Sequence, residues 1–207
     1  MNNPFRSRLS GRLSIIVVAM TTVILAGCFG DAKSWRSKDI TGLMPELAFE
    51  LTDASGDTVT ADKTDGEIRM LFFGFTSCPD VCPATLRKLS RAVSGMPDQW
   101  QNDTRIIFVS VDPQRDTPER IKSYVDFFSD RAIGLTGEEK ALRALSKRYR
   151  TTFGYDDPDA EGNYNVSHSG AVYVFDRKGN ARLLFRPDLT IEDIRTDLVA
   201  LAQESGA

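Results

Sequence analysis

Residues 68–83 read Ile-Arg-Met-Leu-Phe-Phe-Gly-Phe-Thr-Ser-Cys-Pro-Asp-Val-Cys-Pro, and this stretch narrows the fold more than any other. The nearly continuous apolar run Ile68 to Phe75 is the pattern of a strand buried on both faces. After the cysteines, Leu86, Leu89 and Val93 recur at helical spacing, with Arg87, Lys88 and Arg91 facing away. Pro83 suits the first helical position, where its missing N–H would have been unpaired, and Gly95 and Pro97 end the helix. Cys78 and Cys82 therefore sit where a buried strand hands over to a helix.

The remaining body alternates between strand and helix patterns. Arg105 to Val111 reads as a second buried strand. Asp116-Thr117-Pro118-Glu119 opens a helix with Ile121, Tyr124, Val125 and Phe128 on one face. Thr136-Gly137-Glu138-Glu139 has capping-box spacing ahead of Leu142, Leu145 and Tyr149. Ala171 to Phe175 and Ala181 to Phe185 form a hairpin about Asp176-Arg177-Lys178-Gly179-Asn180. Thr190 starts a last helix carrying Ile191, Ile194, Leu198 and Leu201. The order β-α-β-α-α-β-β-α predicts an α/β domain with a central mixed sheet flanked by helices. With paired cysteines at the end of the first core strand, it resembles a thioredoxin-like fold. The acidic stretch Asp156 to Gly162 reads as the solvated tip of an extra hairpin before the loop that carries His168.

The N-terminus explains the third cysteine. Arg6, Arg8 and Arg12 precede an apolar stretch from Leu13 to Ala26, too short for a membrane span of ~20 residues but suited to a secretory signal. Val23-Ile24-Leu25-Ala26-Gly27-Cys28 resembles a bacterial lipobox, which implies cleavage before Cys28 and lipidation of its thiol. The expected division is a signal peptide over 1–27, a lipidated Cys28 with a polar tether over 28–41, and one domain over 42–207. The body is expected on the periplasmic side of a bacterial membrane, held by a lipid anchor, where a Cys78–Cys82 disulfide is permitted. Taking three Arg from the 26 basic side chains leaves 23 against 29 acidic ones, a net charge of −6. That argues against nucleic acid and favours a basic protein partner.

Backbone N–H groups and the dipole at a helix start favour a thiolate, which is the nucleophile and the metal-binding form of cysteine. Thioredoxin-like oxidoreductases use Cys-x-x-Cys; here three residues intervene. The longer loop lets the sulfurs spread around an ion while still permitting a disulfide, so a redox pair and a metal site both remain open at this point. The only histidine, His168, lies just before the strand from Ala171. Thioredoxins place a cis-proline before that strand, where His168-Ser169-Gly170 stands here. In a peroxiredoxin site the threonine precedes the cysteine by three residues, whereas Thr76 precedes Cys78 by two.

Gly74 to Pro83 closely resembles the cysteine motif of the Sco/SenC family of copper-binding assembly proteins. Asp39-Ile40-Thr41-Gly42, Val109 to Pro118 and Tyr164 to Gly170 resemble the family's other signatures in the same order. The likeness runs over roughly residues 36–203, with Ser77 standing where many members carry His. It implies one copper ion per chain, Cu(I) or Cu(II), held by Cys78, Cys82 and His168. Thiolates are soft and select Cu(I), while imidazole serves both states. It also implies a role in building the dinuclear copper centre of cytochrome c oxidase subunit II, by copper delivery, by reduction of the recipient cysteines, or both. Another periplasmic copper chaperone or a thioredoxin-like reductant would be a further partner. The alternative is a thiol–disulfide oxidoreductase or redox sensor using the pair Cys78/Cys82. The ordinary reading of Asp112, Arg115 and Asp116 is structural, with Pro113 shaping a turn and Asp116 or Thr117 capping a helix. Trp100 and the phenylalanines read as core.

Overall fold

The computed structural model describes residues 34–204. The basic segment, the apolar stretch 13–26 and Cys28 lie outside them. In chain order come β1 (Lys38–Asp39), β2 (Glu50–Thr52), β3 (Thr58–Thr60), β4 (Ile68–Gly74), α1 (Val81–Ser94), α2 (Asp98–Gln101), β5 (Thr104–Ser110), α3 (Pro118–Asp126) and β6 (Ala132–Leu135). They are followed by α4 (Glu139–Arg148), β7 (Phe153–Tyr155), β8 (Val166–His168), β9 (Val172–Phe175), β10 (Ala181–Phe185) and α5 (Ile191–Glu204). Among the described residues, no helix is long and apolar enough to cross a membrane.

Six strands form the central sheet in the order β1-β10-β9-β4-β5-β6. β4, β5 and β6 are parallel, and β9, β10 and β1 each run antiparallel to a neighbour, so the sheet is mixed as the sequence order requires. Every residue of β4 is buried, because both faces of the sheet are covered. Met70 and Phe72 pack with Leu86 and Leu89 of α1, Ile121 of α3 and Leu198 of α5. The alternating Leu71 and Phe73 pack on the other face with Leu142 of α4, with Tyr149 at its C-cap, and with Leu51 and Val59 of the β2–β3 hairpin. This is the thioredoxin-like arrangement. Cys78 touches both apolar clusters, which places the cysteine turn at the end of the sheet, where its two faces meet.

Several elements differ from the sequence reading. β6 is an extra parallel strand between α3 and α4. Its Ala-Ile-Gly-Leu run is too short to announce itself, and Gly134 lets α3 approach so closely that a Cβ there would collide with Ile121. α1 begins at Val81, so Pro83 is its third residue, still among the N–H positions that lack an intrahelical acceptor. Residues 35–41, expected in the tether, belong to the fold. Arg36 and Ser37 donate their backbone N–H to buried Asp197 at 2.9 and 2.8 Å, β1 pairs with β10, and Ile40 is buried. The compact unit that holds the sheet accordingly starts at Trp35. Phe127, expected in the core, is 78 % exposed.

Candidate metal centre

After Gly74 the chain turns, with the Cys78 N–H donating to the Phe75 carbonyl at 3.3 Å, and enters α1. Asp80 occupies the helix N-cap without making a side-chain cap. Sulfur takes part of that duty: the Cys82 N–H donates to Cys78 Sγ at 3.4 Å. Cys78 is half-buried and Cys82 fully buried, and both thiols are free. Gly74 is required beneath them, since a Cβ there would stand 2.6 Å from Cys82 Sγ and 2.6 Å from the Phe108 ring.

His168 arrives from the other side of the sheet end as the last residue of β8, whose partner β7 sets it opposite Phe153. The extra hairpin foreseen ahead of a histidine loop thus carries the histidine itself. Nδ1 lies 3.1 Å from the Ser169 carbonyl and donates to it, leaving the Nε2 lone pair to face Cys82 Sγ at 3.3 Å. The edges of Phe72 and Phe75 fix the ring, with centroids 6.1 and 5.6 Å away. Gly170 lets this arm close on the cysteine turn, because a Cβ there would meet Val81 at 3.3 Å and Pro187 at 3.0 Å. One donor atom each from Cys78, Cys82 and His168 lies within 4.8 Å of the other two. Such a triangle has room for one ion at the ~2.0–2.3 Å usual for imidazole and thiolate bonds to a first-row metal such as zinc.

The electrostatics differ from the sequence expectation at one cysteine. Burial, with the neighbouring Cys78 and Asp116 charges adding to it, pushes the Cys82 thiol well above its ordinary value, and a bond to the Phe75 backbone offsets only part of that. Without a metal Cys82 is therefore a protonated thiol. The helix-start effect is outweighed because this sulfur is enclosed by the core. Burial also lowers the His168 imidazole below its usual value, against backbone bonds at Ser169 and Phe73, so it is held in the neutral form that binds metals. A cation between the three atoms would reverse the penalty on the thiolates.

Of the two candidate caps, Asp116 and Thr117, the buried carboxylate holds the cysteine loop instead. Asp116 accepts from the Thr76 N–H at 2.8 Å, the Thr76 hydroxyl at 2.6 Å and the Ser110 hydroxyl at 2.6 Å. Arg120 donates to Thr76 Oγ1 at 2.6 Å and Ser77 Oγ at 3.0 Å, completing the clamp. Thr117 is the true cap of α3, accepting from the Arg120 N–H at 3.3 Å. Asp112 accepts from Arg115 at 2.5 Å and from the Tyr164 hydroxyl at 2.6 Å. Arg115 stacks 3.7 Å over Tyr164 and 5.8 Å from Phe75, the ring that abuts His168. The signature Val109 to Pro118 pointed to these residues; which hydrogen bonds they make was not readable from it.

Comparison with known proteins identifies relatives of the whole domain. The SCO1/SenC family model matches residues 43–203. A SCO2-like protein of Rickettsia typhi is 36% identical over 151 residues, covering 71% of this chain and 72% of its own length. The structure of Bradyrhizobium japonicum ScoI with copper bound is similar with a TM-score of 0.67 and 33% identity, over 75% of this chain and 98% of that one. The Arabidopsis thaliana ScoI structure with copper bound gives a TM-score of 0.71 at 29% identity, over 77% and 98% respectively.

Proposed function

The chain belongs to the SCO1/SenC family, and on that footing we propose that it binds one copper ion through Cys78, Cys82 and His168. The observation that carries this reading is the convergence of two sulfurs and one imidazole nitrogen within 4.8 Å at the end of a sheet. Two thiolates and one imidazole make a soft three-coordinate set suited to Cu(I), and the nitrogen makes Cu(II) tolerable. Relatives whose structures hold copper share the fold over three quarters of this chain.

The copper would be cargo rather than a resident cofactor. Its destination in this proposal is the dinuclear copper centre of cytochrome c oxidase subunit II, with the domain tethered outside the cytoplasm through lipidated Cys28. Each residue has a distinct part. Half-exposed Cys78 is the ligand an acceptor reaches first. Buried Cys82 and ring-locked His168 keep the ion until the acceptor supplies replacements. The same pair can deliver electrons: Cys78 attacks a recipient disulfide, and Cys82 then displaces the recipient sulfur from the mixed disulfide. Two recipient thiols leave as the Cys78–Cys82 disulfide forms, a two-electron exchange that removes both thiolate ligands.

The test is a copper titration of the reduced protein beside Cys78→Ala, Cys82→Ala and His168→Ala variants. Each variant is expected to lose affinity, and charge-transfer absorption of the Cu(II) form is expected to change without His168. Unchanged affinity in His168→Ala would sink the three-ligand site. The pairing of an accessible and a buried free thiol also favours a second reading, a thiol–disulfide oxidoreductase. Efficient turnover of a disulfide substrate in the presence of a copper chelator would select it.

A further inference from the structure

The surface around Cys78 and His168 has a charge pattern unlike the rest of the molecule. Most arginines elsewhere in the fold end on carboxylates, as do Arg105, Arg131, Arg143, Arg177, Arg182 and Arg195. Beside the site Arg87, Arg91 and Arg150 do not, while Arg115 and Arg120 pair with buried Asp112 and Asp116. Arg87 and Arg91 are exposed, one turn apart on α1, and neither has a side-chain partner among the described residues. They line a cleft of about 400 Å³ that begins at Pro79, Asp80 and Pro83 in the cysteine turn. Lys88 in the same cleft is engaged, donating to the Pro187 and Leu189 carbonyls at 2.7 Å each.

On the histidine side a second open groove, of about 520 Å³, is lined by His168, Ser169 and Arg150. The Arg150 side chain is exposed and also without a side-chain partner among the described residues. Its backbone has φ +53°, the left-handed region that favours glycine, at the end of α4. An arginine is held there against conformational preference, beside the site. On the third side Arg120, half of whose side chain is exposed, bonds Ser77 next to Cys78. Asp80 is the one carboxylate lining either groove. Val81, the last of the three residues between the cysteines, is 41 % exposed.

We propose that this face docks a carboxylate-rich patch of a partner protein, with Val81 at its apolar centre and Arg87, Arg91, Arg120 and Arg150 on its rim. An apolar centre with an arginine-bearing polar rim is the anatomy of a protein interface. Cations that surround a recessed site on three sides match a partner reaching into it. The proposal rests on the reading that the site passes its cargo to another protein. It also reverses, at this face, the basic partner that the net charge of the whole chain suggests, because local rather than net charge steers a docking partner.

The test uses the reduced, metal-free protein and two disulfide probes, an aromatic dianion and the dication cystamine. The aromatic probe is intrinsically faster because its thiol leaves more readily, so the readout is the ratio of dianion to dication rates, which should fall ~tenfold between ~0.01 M and ~1 M salt as the Debye length shrinks from ~30 to ~3 Å. In the triple variant Arg87→Gln, Arg91→Gln, Arg150→Gly the ratio at low salt should drop to near its high-salt value. Glycine at position 150 keeps the left-handed backbone. A fluorescein-labelled glutamate-rich peptide should bind the parent protein in a salt-sensitive way and the triple variant ~tenfold more weakly. A rate ratio that does not change with salt, or peptide binding unaffected by the triple variant, overturns the proposal. So does binding to phosphatidylglycerol vesicles with none to the peptide, which would make the face a membrane contact. Copper titration of the same proteins separates the two readings, since the triple variant is expected to keep the copper affinity of the parent. Should the parent bind no copper, the site reading falls, while the probe ratios still decide the charge of this face.

Discussion

Gly74→Ala tests how the fold seats the second sulfur. The added Cβ would stand 2.6 Å from Cys82 Sγ and 2.6 Å from Phe108 Cε2, and ordinary contact begins at 3.4 Å, so each neighbour must give about 0.8 Å. Neither has room. Cys82 and Phe108 are both 0 % exposed and packed in the same cluster. Overpacking of this kind costs about 1–3 kcal/mol, and two overlaps argue for the upper end. Gly74 has no left-handed φ, so Ala restricts the unfolded chain and recovers about 0.4–1 kcal/mol. A net loss of about 2 kcal/mol should lower the melting temperature by ~4–8 °C in a domain of this size. The sulfur displacement matters more. Metal–ligand distances tolerate ~0.2 Å, so a shift several times larger should weaken copper binding by at least the ~10–100-fold seen for lost support around a site. Differential scanning calorimetry and competition of Cu(I) against a chromophoric chelator measure the two effects. Adding Phe108→Leu should restore stability but not affinity, because the clash with Cys82 remains. Copper affinity within twofold of the parent in Gly74→Ala would refute the claim that Gly74 seats Cys82.

Other expectations follow from the same contacts. Asp116→Asn leaves one acceptor oxygen where three donors converge, so it should cost about 2 kcal/mol by urea denaturation and should change the alkylation rate of Cys78 through the loosened Thr76. Tyr124→Phe removes a buried hydroxyl that has no hydrogen-bond partner among the described residues and should raise metal-free stability by about 1 kcal/mol; a loss of that size would overturn this. Burial raises Tyr149 and Tyr173, and burial together with the Glu139 charge pushes Tyr155 up to about 12. The unfolded chain therefore gives up these phenolic protons first, so their contribution is intact below pH ~10 and declines as pH rises above it. Tyr155→Phe should flatten that decline in urea midpoints measured from pH ~9 to ~11.

The sheet and its two helical layers were legible because burial leaves a period in the sequence. Ile68 to Phe75 had to be a central strand, since so apolar a run needs cover on both faces, and Leu86, Leu89 and Val93 had to turn one side of a helix inward. β6 was not legible: four residues carry no period, and what makes them a strand is pairing with β5, a contact with residues distant in the chain. The inclusion of residues 35–41 was hidden for the same reason, because their partners are Asp197 and β10 at the other end of the chain.

At the site, the sequence by itself determined the chemistry. Two cysteines at a strand-to-helix turn and a single histidine leave few other soft donors, and their types fix what they can bind. Tertiary structure alone decided the geometry and the charge. It brought His168 Nε2 to 3.3 Å from Cys82 Sγ across 86 residues, on a hairpin rather than in a loop. It set burial above the helix-start effect at Cys82, and of the two candidate caps it gave the helix to Thr117 and made Asp116 the clamp on Thr76. Residue type travels with the chain, but distance, dielectric and the partner of a hydrogen bond exist only once segments far apart in sequence share one place.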